Sequence, residues 1–432
     1  VKGESMKTLS VWANSSKLAT FDIEVGTGEL SKNTSTKINL KATSWTLVDA
    51  LELTKPIYPS KTSEYVFTNG MTEDLSYEEK VDFGKVAQNG GYLEVSLGAT
   101  ILTNLTKNLD KVLYFPGDDL SSQVTFLENS LALQELYKKL EKTSDFEAII
   151  LTDYNGKTYG VTSVMDLVRN NIKNYVQADN GMAYYKDCSS WWFSDTCSSL
   201  DVTGKYLNLN ISVDWVDNKK VFEYYKKALV KKITENQKYS IFTTEIQDFL
   251  PVALFKDESF VNTYFKPNST LSNLDKLDYI KMYNLLGKVW PQSEAYLKDL
   301  KNAILVEARG SVLPAEKSFS SVDNSVASAK MIQVLIEKGV SEKLLTQNLV
   351  RFLISNRDDA GNYFTYDFSE IVDAINAYVD FTGELKDVSF EAKAYLNSKD
   401  IMTSKFGESN KFDIDKKTFR FEDYLKTGEN SL

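Results

Sequence analysis

No histidine occurs anywhere in the 432 residues. That absence removes Ser-His-Asp and Cys-His nucleophilic catalysis, histidine-based zinc sites and imidazole pH switching together. Cysteine is nearly absent too: Cys188 and Cys197 are the two in the chain, and both lie in the segment DCSSWWFSDTC. Two thiols with no histidine beside them make a poor metal site, so no metal and no other cofactor is expected. A local disulfide closing the segment is favoured over two free thiols, and it would place the chain in an oxidising compartment, periplasmic or extracellular at the cell surface. Positive charge is in deficit, with 50 Lys and Arg against 60 Asp and Glu and a net charge of −10. Nucleic acid and anionic membranes attract basic surfaces, so neither is an expected partner. No apolar run approaches the length of a transmembrane helix, so no membrane insertion is expected in this segment. The first residue is Val1 and no leader follows it, which reads as a piece of a longer protein and leaves localisation open.

The composition that remains is that of a globular protein, 42% hydrophobic and 25% charged, and the length suits two or three domains. The stretch Tyr92–Leu140 organises the rest. It opens on a strand-like run, Tyr92–Gly98, and continues through a short amphipathic segment, Ile101–Tyr114. A Pro-Gly-Asp-Asp turn at Pro116–Asp119 leads into a helix from about Leu120 to Leu140. There Leu120, Val124, Leu127, Leu131 and Leu136 recur at near-helical spacing, and Asp118 or Asp119 stands where an N-cap belongs. Before this stretch, LSVWANS, FDIEVGTGEL, TKINLKATSWTLVDALELTKP and EYVFTNG alternate and are rich in β-branched residues, the pattern of a sandwich. Asp22, Glu24 and Glu29 there read as solvent-facing strand residues, and Glu73, Asp74, Glu78 and Glu79 as a solvated connection.

After the stretch, helices succeed one another. They are expected at Ser163–Tyr175, Lys219–Glu235, Thr244–Leu250, Leu274–Gly287, Glu294–Arg309, Val322–Lys338, Glu342–Ser355 and Phe368–Phe381. An aromatic loop, Asp179–Ser199, interrupts them. Short linkers between helices of similar length suggest antiparallel pairs. No strict sequence period runs through them, so a closed ring of pairs fits better than a solenoid. The tail returns to β pattern in VSFEAKAYLN and FDIDKKTFRFEDYL. The expected fold is therefore mainly α with flanking β, an α/α toroid over residues 91–385 between β-sandwich modules at 1–90 and 386–432.

Several residues are candidates for chemistry. Tyr184, Tyr185, Trp191, Trp192 and Phe193 either form a platform for a sugar or peptide, or fill the mouth of the ring. Asp358 and Asp359, with Asp179, Asp187 and Asp195, could supply the carboxylate pair of a carbohydrate-active enzyme, an activity found on α/α toroids. The simpler reading of Asp358-Asp359-Ala360-Gly361 is a turn. Asp413-Ile414-Asp415 lacks the glycine and bidentate glutamate of a calcium loop.

Four features together resemble the bacterial alpha-2-macroglobulin-like family. YLEVSLGATILTNLTKNLDKVLYFPG, followed by SSQ and LALQEL, is similar to that family's approach to its thioester domain: strand, short helix, Tyr-Pro-Gly type turn and a motif ending in Gln. DNGMAYYKDCSSWWFSD is similar to its Gly-aromatic-Trp loop. The segment from SVASAKMIQVLIEKG to EIVDAINAYVDF resembles its closing helices, and the flanking strands resemble its macroglobulin- and CUB-like modules. The resemblance implies a large periplasmic or surface inhibitor of endopeptidases, not an enzyme. Its partners would be trapped proteases and other domains of the same chain. In many members a Cys–Gln thioester captures the protease covalently. Here Gln123 matches the Gln, Ser121 and Ser122 replace the two residues before it, and Leu120 stands where the Cys belongs. The covalent step is therefore expected to be lost. Ser121 and Ser122 have no histidine base to activate them, and Gln123 becomes a plain residue near a helix start. An extracellular adhesion or interaction module remains the other reading.

Overall fold

The computed structural model describes residues 6–11, 16–21, 34–57, 76, 78, 80–82, 92–101, 112–186, 197–238, 245–266, 270–288, 291–307, 310–315, 321–339, 342–355, 368–420 and 429–432. The expected helical segment over 102–111, the strands in FDIEVGTGEL and EYVFTNG, and Asp22, Glu24, Glu29, Glu73, Asp74 and Glu79 lie outside these residues. So do Asp187, Cys188, Trp191, Trp192, Phe193, Asp195, Asp358 and Asp359. Among the described residues no helix is long and apolar enough to cross a membrane.

The chain divides into two compact units. The first comprises Val1–Phe67, Val86–Gly91 and Arg420–Asp423. Its described secondary structure is an antiparallel hairpin of β1 (Thr34–Ser44) and β2 (Leu47–Ile57), joined at Trp45 and Thr46. Leu40 faces Leu51 and Ile38 faces Leu53 across the pair, so one face is apolar by the period of two. Trp45 sits in the turn at φ 51°, fully exposed. The segment LSVWANS contributes no strand over its described residues 9–11.

The second unit holds everything else, and it places helices inside a β framework. Strand β3 (Lys80–Asp82) pairs with β14 (Glu429–Ser431), and β4 (Tyr92–Gly98) pairs with β13 (Ile414–Arg420). Strands β11 (Ser389–Leu396) and β12 (Lys399–Gly407) form a hairpin. Val95, Leu396, Ile401, Met402 and Phe419 make a small core common to β4, β11, β12 and β13. The helices occupy the chain between β4 and β11. Where the chain enters and leaves them it is tied at one carboxylate: Glu384 accepts from the Thr100 hydroxyl and, at 3.2 Å, from the Ile101 N–H.

Twelve α-helices are described. Helix α1 is Leu120–Lys139 and α2 Thr143–Glu147; the hairpin of β5 (Ile150–Thr152) and β6 (Thr158–Gly160) leads to α3 (Val161–Ile172). A two-residue pair, β7 (Met182–Ala183) and β8 (Ser198–Ser199), precedes α4 (Leu200–Asn208) and α5 (Asn218–Lys238). Then come α6 (Leu250–Leu254), α7 (Glu258–Tyr264), α8 (Asn273–Leu285) and α9 (Pro291–Ala303). The hairpin of β9 (Leu305–Glu307) and β10 (Gly310–Val312) separates these from α10 (Ser321–Lys338), α11 (Lys343–Ser355) and α12 (Phe368–Thr382). Caps define the starts. Asp119 accepts from Ser122 N at the head of α1, Asp257 caps α7, and Ser272 with Asp275 forms a reciprocal capping box on α8.

The packing has an order. Helix α1 packs on α4, α4 on α6, α6 on α8, α8 on α10, α10 on α12, and α12 returns to α1. Five of these carry further helices: α2 and α3 on α1, α5 on α4, α7 on α6, α9 on α8 and α11 on α10. All of them share one hydrophobic core, in which Tyr175, Tyr206, Tyr225, Tyr279 and Tyr378 are fully buried.

Some expected boundaries are corrected. The helix predicted over Glu294–Arg309 ends at Ala303, and Leu305–Glu307 turns back as a strand against Gly310–Val312. Gly310 has φ +131°, and a Cβ there would meet the Asn348 carbonyl at 2.5 Å, so only glycine allows the hairpin to lie on α11. Of the helix expected over Thr244–Leu250, the described residues form a 3₁₀ turn, Ile246–Phe249, running into the short α6. Helix α4 and strand β12 had no counterpart in the sequence reading.

Candidate functional site

The head of α1 is built from three segments. Leu120 is fully buried, and its N–H donates to the Tyr184 carbonyl at 2.8 Å. Ser122 folds back on the cap: its N–H donates to Asp119 Oδ1 at 2.8 Å and its hydroxyl to Oδ2 at 2.6 Å. Gln123, 3% exposed, donates from Nε2 to the Gly117 carbonyl at 3.2 Å and to the Tyr175 hydroxyl at 2.8 Å. Tyr175 passes the chain on, donating to the Asp118 carbonyl at 2.6 Å. Gln123 Oε1 is buried with no hydrogen-bond partner among the described residues.

The electrostatics follow from burial. Tyr175 is pushed up to about 12 by desolvation and then by the carboxylates of Asp118 and Asp119. Tyr184 is pushed up to about 12 by desolvation and by its hydrogen bond to Asp201. Both phenols stay neutral donors. The Lys186 ammonium lies 5.5 Å from the Tyr175 ring centre. Lys205 Nζ donates to Thr125 Oγ1 at 2.6 Å and to Ser121 Oγ at 3.3 Å. As a donor it supplies Ser121 with no base.

Of the residues named from sequence, Leu120, Ser121, Ser122 and Gln123 thus come together with Tyr184, while Tyr185 stands 55% exposed beside them. Trp191, Trp192 and Phe193 are outside the described residues. So is Cys188; Cys197 is described, and no described cysteine is a free thiol. Asp179 is engaged in its own turn, accepting from Gly181 N at 3.0 Å and Ser198 Oγ at 2.6 Å, and the other carboxylates named with it are not described. Asp413 donates its N–H to the Asn410 carbonyl at the start of β13. Sequence reasoning missed Tyr175, Lys205 and Asp201. Tyr175 was visible as the end of a predicted helix, but nothing in the sequence tied it to Gln123, 52 residues away.

A second polar cluster lines facing helices. Lys330 of α10 pairs with Asp278 of α8 at 2.7 Å, with side chains 11% and 2% exposed. Gln247 also donates to Asp278, at 3.2 Å. Lys281 pairs with Glu370 of α12 at 3.0 Å, and Gln333 donates to Glu370 at 3.3 Å. Burial works against the Glu370 carboxylate, but Lys281 and Lys330 outweigh it and hold its pKa below the usual range. One turn on, Asp373 is pushed up to about 6 by desolvation and the Glu370 charge, against weaker pulls from Lys281 and Lys139.

No known family profile matches the chain, and no curated protein matches it. Solved structures do. One is native alpha-2-macroglobulin from Escherichia coli, spanning domain MG7 to the C-terminus. It is 11% identical, with a TM-score of 0.43, 93% of this chain covered and 61% of that one. A Salmonella alpha-2-macroglobulin mutant is 10% identical with a TM-score of 0.45, over 93% of this chain and 25% of that one. Escherichia coli alpha-2-macroglobulin activated by porcine elastase is 12% identical with a TM-score of 0.39, over 93% and 35%. The chain therefore spans about three-fifths or less of the length of each.

Proposed function

We propose that this chain is the thioester-domain region of an alpha-2-macroglobulin-like protein, and that it works without a thioester. The helices form an α/α toroid set into a β module; the support is the order in which α1, α4, α6, α8, α10 and α12 pack, with α12 back on α1. The longer protein is an endopeptidase inhibitor or surface-defence protein, periplasmic or at the cell surface, that engages proteases non-covalently. A Cys188–Cys197 disulfide would brace the aromatic loop. The observation that carries the reading is the head of α1. Gln123 retains a buried amide carbonyl without a donor among the described residues. The residue one turn before it, Leu120, is a fully buried hydrocarbon with nothing to attack that carbonyl.

The test is incubation with methylamine followed by peptide mass analysis. No amine incorporation is expected, and uptake at Gln123 would overturn the absence of a thioester. A second measurement separates the family reading from it: the full-length protein is digested with elastase, and residual activity is read on a large and a small substrate. Selective loss of the large-substrate activity is expected. Equal loss or no loss of both would sink the trapping role.

A further inference from the structure

Beside β5 lies an open groove of about 680 Å³ that the head of α1 does not use. Leu113, Tyr137 and Leu151, all buried, form its floor. Tyr114, 76% exposed, and Ile150, 60% exposed, rise on its walls. Among the described residues its one charged lining residue is Asp145, whose carboxylate has no ion-pair or hydrogen-bond partner there. An exposed wall of tyrosine and isoleucine over an apolar floor is costly surface unless something covers it.

The register of the hairpin says what shape of molecule fits. Val161 N donates to the Ile149 carbonyl at 2.9 Å, and Asp153 N to the Lys157 carbonyl at 2.9 Å. Ile150 pairs with Gly160 and Thr152 with Thr158. In an antiparallel ladder the hydrogen-bonded pairs alternate with pairs whose N–H and C=O groups point away. Ile149, Leu151 and Asp153 are therefore the inward residues. Ile150 and Thr152 send their N–H and C=O groups outward along the edge of β5, and no backbone hydrogen bond from a described residue meets them. An unpaired edge beside an apolar trough is the geometry of strand addition. Asp145 sets the charge of the added strand.

We propose that this groove docks an extended segment of another protein, which adds as a strand to the edge of β5. Its alternate side chains are apolar over Leu113, Tyr137 and Leu151, and a Lys or Arg pairs with Asp145. Nothing in this assignment depends on the thioester region.

The probe is the fluorescein-labelled hexapeptide Val-Thr-Val-Thr-Arg-Thr, titrated with the full chain by fluorescence anisotropy at low salt. Saturable binding is expected. It should fall about tenfold or more, the scale of one lost charged contact, when the peptide Arg becomes Glu or when the protein carries Asp145→Lys. It should also fall when alternate peptide nitrogens are methylated, or with Thr152→Pro. That substitution removes an outward N–H and leaves the hairpin ladder intact, as proline at a sheet edge permits. Circular dichroism verifies that both variants fold. Absence of saturable binding to the wild-type chain overturns the proposal, as does equal binding of the methylated peptide. Self-association of the wild-type chain that is lost in Thr152→Pro overturns it in favour of a second copy.

Discussion

At the scale of single residues, the head of α1 is held by one phenol. The Tyr175 hydroxyl accepts from Gln123 and donates to the Asp118 carbonyl, so Tyr175→Phe breaks two buried hydrogen bonds without opening a cavity. The expected cost is about 1–3 kcal/mol, read as a shift in urea midpoint at constant slope; no shift would mean that water replaces the phenol. Gln123→Met makes the opposite case. It deletes the amide carbonyl that has no donor along with the two donated bonds, so it should destabilise less than Tyr175→Phe. A greater loss would show that Oε1 is satisfied in solution. Asp373 predicts a pH effect with a definite sign. Its folded pKa of about 6 lies above the unfolded value of about 3.9. Between those values the folded chain binds more protons, and stability falls as pH rises from about 4 to 6. Because Asp373 is exposed to solvent, which screens its interactions, Asp373→Asn should raise the melting temperature at pH 7.5 by only a small amount and leave it nearly unchanged at pH 4. An equal effect at both pH values would remove Asp373 as the cause.

At the scale of elements, the packing of α8 on α10 encloses an ion pair among its hydrocarbon contacts. Removing Lys330 leaves the Asp278 carboxylate buried, with Gln247 as its remaining partner among the described residues. Lys330→Met should cost about 3–5 kcal/mol by chemical denaturation, and adding Asp278→Leu should restore most of it. Failure of the second change to restore stability would assign the loss to packing. The helices with a clean apolar stripe were legible in the sequence. Phe368, Ile371, Val372, Ile375 and Tyr378 are all buried on α12, and α1 begins at Leu120, where the leucine spacing put it. Helix α4 was not legible. Its Gly204 argues against a helix by propensity, and it is there because a Cβ would come within 2.8 Å of Tyr225. The sequence carries no mark of that tertiary contact. The same holds for the candidate site, where Gln123 and Leu120 were visible as a pattern but their partners Tyr175 and Tyr184 belong to other segments. The Lys330–Asp278 pair joins residues 52 apart, and no local signal could have announced it.

At the scale of the whole molecule, the helical part carries its own core. Apart from residues at its edges, that core lies between Ile101 and Val379, while the β framework relies on a much smaller set around Val95 and Phe419. A fragment from Thr100 to Lys386, which keeps the Glu384 tie, should melt cooperatively with helical circular dichroism; a broad, non-cooperative melt would show that the strands are needed to hold the helices together. The pairing of β4 with β13 sets a clock. Strand β4 leaves the ribosome first, and its partner follows roughly 300 residues later. At about 5–20 residues per second, β4 waits on the order of tens of seconds with an open edge. The earlier helices, each packed on helices close to it in the chain, have time to assemble first, while α12, which closes on α1, emerges only shortly before β13. The alternating exposed and buried side chains of β4, with Glu94 facing water until Lys416 arrives to pair with it, suit a strand that must stay soluble while it waits.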